Sequence, residues 1–424
     1  MNSKIQLSTK RSGTEGSIKS GLEKGVRCMA VALVIALIVG IAFYQFSHAH
    51  SSDFTQFYCA AQMVRRGLGS SLYDLTKQIE FQSRVARVQV FYNHPPFEAL
   101  LFVPFTYVSY RAAYMLWTIT SLSLLISAAL LIEAARGLTS SLSQFTRVRA
   151  DVGLVTVVFL TFAPATTCLL LGQDSMLMLA IYSMAFVLLK RGSDFRAGCV
   201  LACGLFKLQL ILPFALILLL RHKWSALRGL GLVGTLLVLI SVGISGAGVL
   251  SAYPRFLFDS TYQKIGGFAP EYMPNIRGLL FVLSRGKLVG LAFGVLVATC
   301  SMVVLWYAAR NWQDEQLPTS FAASVLATLL SSYHLYNYDL TLLLLPIAIL
   351  FSEMVRRGLP LGRSTIGAAL IVLFIPPLHR LLLLHSIYAL MGAPVALLYV
   401  RALWLGRTGV SAAHSGPSLR SSAL

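Results

Sequence analysis

The chain has 424 residues, of which 56% are hydrophobic and only 12% charged. A soluble domain carries roughly 25% charged residues, so a water-soluble globular enzyme is excluded, and long unbroken apolar runs in place of alternating segments exclude a transmembrane β-barrel. Lys and Arg number 35 against 16 Asp and Glu, a formal net charge of +19, but the basic residues cluster in short loops between apolar runs, which is a topology signal and not a nucleic-acid-binding face.

In chain order, residues 1–28 are polar, with Lys4, Lys10, Arg11, Lys19, Lys24 and Arg27 outweighing Glu15 and Glu23. They read as a cytoplasmic basic tail. The apolar run 29–46 is not followed by a small-residue cleavage site and reads as the first span. Residues 47–110 then form a large first extracytoplasmic loop carrying Asp53, Tyr73-Asp74 and Tyr92-Asn93-His94-Pro95-Pro96. Its apolar piece, 97–107, is broken by Pro104 and too short to cross a core of about 30 Å. It reads as an interfacial or re-entrant helix.

Further spans are expected near 111–132, 152–170, 175–190, 196–206, 209–220, 229–249, 287–309, 318–332, 340–355, 364–376 and 385–404. This makes an all-α polytopic membrane protein with about twelve transmembrane helices. The membrane domain covers 29–404, a second large extracytoplasmic loop covers 250–286, and 405–424 is a cytoplasmic tail. Counting 97–107 as a full span would move Arg147, Arg149, Lys190, Arg191, Arg221 and Lys223 outside, against the positive-inside rule. With both termini cytoplasmic, Asp53, Gln173, Lys207 and His334 all fall on the outer face.

Those few polar groups are the candidates for chemistry. Asp53 has the placement of a general base, or of an N-cap for the helix that Phe54 begins. Lys207 ends an apolar span and reads either as an anion ligand or as an interfacial lysine that snorkels. His334 lies among Tyr333, Tyr336 and Tyr338, where its imidazole can donate to a phosphate or a sugar hydroxyl. The six cysteines, Cys28, Cys59, Cys168, Cys199, Cys203 and Cys300, have no metal-ligand spacing. No HExxH, GxSxG, Walker or DxD pattern occurs, so metalloprotease chemistry, serine hydrolysis, ATP hydrolysis and soluble-type nucleotide-sugar transfer have no support.

Asp53-Phe54 after the first span, Tyr73-Asp74, Tyr92 through Pro95-Pro96 and Pro104, with Trp117 downstream, together resemble glycosyltransferase family 87. So do Gly172-Gln173 at a span start, Gly198 through Lys207 to Pro213, and the late His334. The resemblance runs from about residue 30 to 350. It implies the GT-C membrane fold and a polyprenyl-phosphate-mannose-dependent mannosyltransferase of the bacterial inner membrane and cell envelope. The active site would lie on the periplasmic side, and the acceptor would be a lipid or glycan. By the same resemblance Asp53 is the base, and Lys207 and His334 bind the donor phosphate or sugar. Gln173, Tyr92, Asn275 and Arg277 complete the candidate donor-binding set. Two departures stand out: Asn275-Ile276-Arg277 replaces an asparagine-serine element, and the Tyr92–Pro96 stretch is expanded. One base opposite one phosphate cradle fits inversion in a single displacement. A monophosphate donor requires no metal or other cofactor, in keeping with the missing DxD. The competing classes are a twelve-span secondary transporter, whose polar site would sit at the midplane between similar halves, and a lipid-linked sugar flippase.

Overall fold

The computed structural model describes residues 2–48, 52–87, 90–146, 149–259, 269–360 and 365–414, with the backbone alone given for 2–20, 22, 26, 34, 42, 365, 366 and 409–414. Among the described residues the chain is helical, with no strand. The helices are α1 (Asn2–His48), α2 (Phe54–Arg65), α3 (Leu75–Gln82), α4 (Pro96–Phe102), α5 (Tyr110–Arg136), α6 (Leu138–Thr146), α7 (Val152–Leu160), α8 (Ala163–Leu171), α9 (Ser175–Lys190) and α10 (Asp194–Ala202). They continue with α11 (Leu208–Leu220), α12 (Trp224–Ser245), α13 (Val249–Phe258), α14 (Ile276–Leu283), α15 (Gly290–Arg310), α16 (Leu317–Ser331), α17 (Leu344–Arg356), α18 (Thr365–Phe374), α19 (Pro376–Leu384) and α20 (Gly392–His414).

Six helical stretches among the described residues are long and apolar enough to cross a membrane, and three bent pairs raise that to nine if each pair is one span. The chain is an integral membrane protein. The expected count of about twelve takes α9 and α16 as crossings, where they are shorter apolar helices, and takes the bent pair α10–α11 as two crossings. The expected basic tail also differs in form, because α1 runs unbroken from Asn2 and its apolar stretch begins near Glu23.

Ion pairs sort the helix ends into two groups. One end gathers Arg27 with Asp151 (3.7 Å), Lys223 with Asp314 (2.8 Å), and Arg136 and Arg357 with Glu353 (2.8 and 2.6 Å). The α7–α8 pair starts at that end beside α1. It finishes where Gln45 donates to the Leu169 carbonyl at 3.3 Å. From Arg27 to Gln45 the helix rises about 27 Å, close to the thickness of a hydrocarbon core. The basic residues therefore sit roughly one membrane thickness from the loop that carries Asp53.

The α10–α11 pair does not make that full journey. Gly198 packs against the backbone of Ala226, Gly229 against that of Phe195, and Leu205 lies over Gly234, so α10 lies against the first half of α12. A methyl group at Gly198 or Gly229 would strike that backbone, which is why glycine stands at both. The helix α11 then returns to Arg221–Lys223, where α12 begins. The pair enters and leaves at the basic end, with Lys207 at its turn. Gly234, beside Leu205, lies eleven residues short of Ser245, so the Lys207 turn lies about 16 Å from the Ser245 end of α12.

Above this turn the loop that carries Asp53 folds as a cap. Phe54 stacks on Tyr114 and Phe57 on Phe102, with ring centroids 5.2 and 4.7 Å apart. The helix α4 and the 3-10 turn at Val103–Tyr107 occupy the stretch read as interfacial, and they are not among the candidate spans. The Phe97 N–H donates to Ser241 Oγ at 3.3 Å and Gly69 packs on Ile244, which fixes the cap to the Ser245 end of α12. Of the expected loop 250–286, residues 260–268, including Lys264, lie outside the described residues.

Candidate functional site

A cavity of about 640 Å³ opens between the cap and the bundle, lined among others by Asp53, Gln173, Lys207 and His334. Four residues drawn from separate parts of the sequence thus share one wall.

Asp53 occupies the N-cap position of α2, yet its side chain makes no capping bond. Its carboxylate instead accepts a hydrogen bond from Gln173 Nε2 at 2.6 Å. Burial raises its pKa above the ordinary carboxylate value, against the opposing pull of Gln173 and Lys207. A carboxylate so placed holds a proton more tightly than in water, which suits a general base.

Gln173 owes its position to the turn before it. Gly172 is left-handed (φ 68°), and a Cβ there would meet Phe54 and Tyr114. Trp117 Nε1 donates to the Gly172 carbonyl at 3.0 Å, and Tyr114 donates to that of Leu170. The cap's aromatic core and the start of α9 are thereby one unit.

Lys207 is only 2% exposed, so it does not snorkel. Its ammonium donates to Asp339 Oδ1 at 2.5 Å and Ser175 Oγ at 2.7 Å, and lies 2.7 Å from Asp174 Oδ1. An ammonium has three protons to give, and these three partners take all three directions. The Tyr338 ring lies beneath the ammonium, 5.3 Å away.

His334 packs edge-on against Tyr336, with centroids 4.6 Å apart. Burial pushes its pKa down to about 4, so the imidazole is neutral at neutral pH. It can offer one N–H but no charge.

The other candidates stand behind the wall. Tyr92 is buried, with its hydroxyl donating to the Pro95 carbonyl at 2.8 Å and its N–H donating to Gln78 at 2.7 Å. It shapes the loop that presents His94. Asn275 caps α14 through the Gly278 N–H (2.9 Å) and donates to the Ser332 carbonyl (2.8 Å), which steadies the His334 segment. The Arg277 guanidinium lies 4.9 Å from the Tyr333 ring centroid. None of these three lines the cavity.

Sequence reasoning gave no role to His94, Glu98, Asp174 and Asp339, which surround Lys207. His94 Nδ1 lies 3.0 Å from Glu98 Oε2 and 3.8 Å from Asp174 Oδ2. Burial pushes Glu98 up to about 8. Burial opposes a charged His94, but the Glu98 and Asp174 carboxylates outweigh it and raise that pKa. The available signals were the histidine inside the expanded Tyr92–Pro96 stretch and the glutamate four residues on, one turn along an apolar helix.

The sequence profile of glycosyltransferase family 87 matches residues 91–335, more than half of the chain. The chain belongs to glycosyltransferase family 87. No curated protein and no solved structure matches it. The family 87 assignment makes the chain a membrane glycosyltransferase, which acts on a sugar donor and an acceptor, and it sets aside the transport reading. The matched stretch contains the cavity-lining residues from Phe91 to His334, and Gln56, Val90, Tyr336 and Tyr338 fall beyond its ends. Asp53 and Asp339 lie outside it.

Proposed function

We propose that this family 87 enzyme transfers mannose from a polyprenyl phosphate to a lipid or glycan acceptor on the extracytoplasmic face, with inversion. The observation that carries the reading is the Asp53 carboxylate, held by Gln173 in the wall of a cavity that Lys207 and His334 also line. Asp53 takes the proton of the acceptor hydroxyl. That oxygen attacks the anomeric carbon from the side opposite the phosphate, and the sugar–oxygen bond breaks with its electron pair leaving on the polyprenyl phosphate. His334 donates a hydrogen bond to the departing phosphate. Lys207 acts on it through its charge, or by exchanging Ser175 for a phosphate oxygen. The displacement draws neither its proton nor its nucleophile from a metal.

The apolar flank of the cavity supports a lipid-linked donor. Leu212 and Phe258 are 54% and 72% exposed beside Phe206, Leu208 and Leu257, so the cavity continues onto a lipid-facing surface where an isoprenoid tail can lie. The orientation rests on the positive-inside rule, which sets the Arg136 and Glu353 end in the cytoplasm together with both termini, and on the depth of Lys207 below the cap.

The deciding experiment incubates purified protein with labelled polyprenyl-phosphate-mannose and a panel of lipid and glycan acceptors. Transfer with an inverted anomeric linkage supports the reading. Transfer only from nucleotide sugars, or with retention, overturns it.

A further inference from the structure

Beside the cavity, His94, Glu98 and Asp174 bring one imidazole nitrogen and two carboxylates to within 4.8 Å of one another. The ordinary account is a hydrogen-bonded core cluster. His94 Nδ1, both Glu98 oxygens and Asp174 Oδ2 are buried without a hydrogen bond of good geometry among the described residues, while Asp174 Oδ1 faces Lys207 at 2.7 Å. Hydrogen-bonded groups point at each other, whereas ligands point at a common centre. Around a cation with ligand distances of about 2.1 Å, neighbouring ligand atoms lie about 3.0 Å apart in an octahedron and about 3.4 Å apart in a tetrahedron. The separations here are 3.0 Å from His94 Nδ1 to Glu98 Oε2 and 3.8 Å to Asp174 Oδ2.

Charge points the same way. Glu98, Asp174 and Asp339 are all buried, and the buried cation in contact with this group is Lys207. With all three carboxylates ionised, the Lys207 ammonium and a charged His94 together still leave one negative charge uncompensated, in a medium that tolerates little of it. Asp174 divides its two oxygens, with Oδ1 on Lys207 and Oδ2 turned toward His94.

We propose that His94 Nδ1, Glu98 and Asp174 bind a divalent transition-metal ion, Mn²⁺ or Zn²⁺. The donor set selects the class: an imidazole with two carboxylates suits these ions, while Ca²⁺ and Mg²⁺ prefer oxygen alone and Cu⁺ prefers sulfur. His94 lines the cavity, which gives the ion its way in. The ligands come from the cap and from the turn before α9, so the ion fastens the cap to the bundle beside Lys207. It neutralises the acidic wall against which an anionic donor must dock. The site goes beyond the transfer reaction proposed above and does not depend on the identity of the sugar.

The test uses the full-length protein in detergent, stripped with a chelator, with Mn²⁺ as the probe. Electron paramagnetic resonance of the titration should count one bound Mn²⁺ per chain, and saturation should raise the melting temperature. The bound ion should show ¹⁴N coupling from a single imidazole. His94→Gln and Glu98→Gln should each weaken binding at least about tenfold, or about 1.4 kcal/mol. Asp53→Asn should keep the ion while losing sugar transfer, which separates this site from the proposed base. Substoichiometric Mn²⁺ in the wild type, or bound Mn²⁺ without nitrogen coupling, overturns the site whether or not the variants fold. Unchanged affinity in both His94→Gln and Glu98→Gln does the same.

Discussion

The Asp53 side chain turns away from the helix that its backbone starts and toward Gln173, and a pH profile reads that choice. Its pKa is raised by burial, and the proposed role requires the ionised form. Transfer should therefore fall as pH drops through that raised value, so the acid limb should lie above the ordinary carboxylate pKa of about 3.9. The sign for stability is opposite, because the fold favours the protonated form and gains slightly as pH falls toward that value. Asp53→Asn should lower the transfer rate about 10²- to 10⁴-fold and erase the acid limb, with folding retained. A normal rate in that variant, measured with labelled donor, would remove Asp53 as the base. Lys207 invites a different measurement. Removing it strands Asp174 and Asp339 in the core, so Lys207→Met should cost about 3–5 kcal/mol. Adding Asp339→Asn should recover part of that loss, because one stranded charge is gone. A melting study of the two single variants and the double variant gives the coupling. An unchanged melting temperature in Lys207→Met would show that the buried pair contributes nothing.

Among the helices, the joint between α8 and α9 decides the site. Gly172 is left-handed and its α-carbon faces Phe54 and Tyr114 at close range. Gly172→Ala should destabilise the protein by about 1–3 kcal/mol through backbone strain alone, and the clash should displace Gln173 from Asp53. Transfer should then fall further than stability does. A variant with wild-type rate and melting temperature would show that the turn tolerates a side chain. The sequence announced this turn, because Gly172-Gln173 sits where one apolar run ends and the next begins. It did not announce the half-depth turn at Lys207. Apolar runs of nine to thirteen residues look alike whether they complete a crossing or double back. Only the contact of α10 with the lower half of α12 makes the pair re-entrant.

For the whole molecule, the two groups of helix ends predict a labelling pattern. In a background lacking the exposed Cys28 and Cys203, a cysteine at the exposed Ser70 in the cap should react with an impermeant thiol reagent in intact cells. One at the exposed Ser140, between α5 and the Arg149 end, should not. The reverse pattern would invert the orientation and move the proposed site to the cytoplasm. Composition determined by itself that the chain lives in lipid, because a sequence with 12% charged residues cannot cover a water-exposed surface. The spacing of basic residues determined which ends belong together, because that bias is written locally beside each span. Asp53, Gln173, Lys207 and His334 were legible for a related reason: each is a polar residue interrupting an apolar background, and each lines the same cavity. Tyr92, Asn275 and Arg277 entered the candidate set through the resemblance, and their side chains lie outside the cavity lining. His94, Glu98, Asp174 and Asp339 gave no comparable signal, since a glutamate in a short apolar helix or an aspartate in a turn has many ordinary uses. What assigns them is the meeting of the cap, the α8–α9 turn, the Lys207 turn and the start of the helix after His334. Sequence alone cannot state that meeting, because the burial and charge of each group depend on neighbours 4 to 164 residues away.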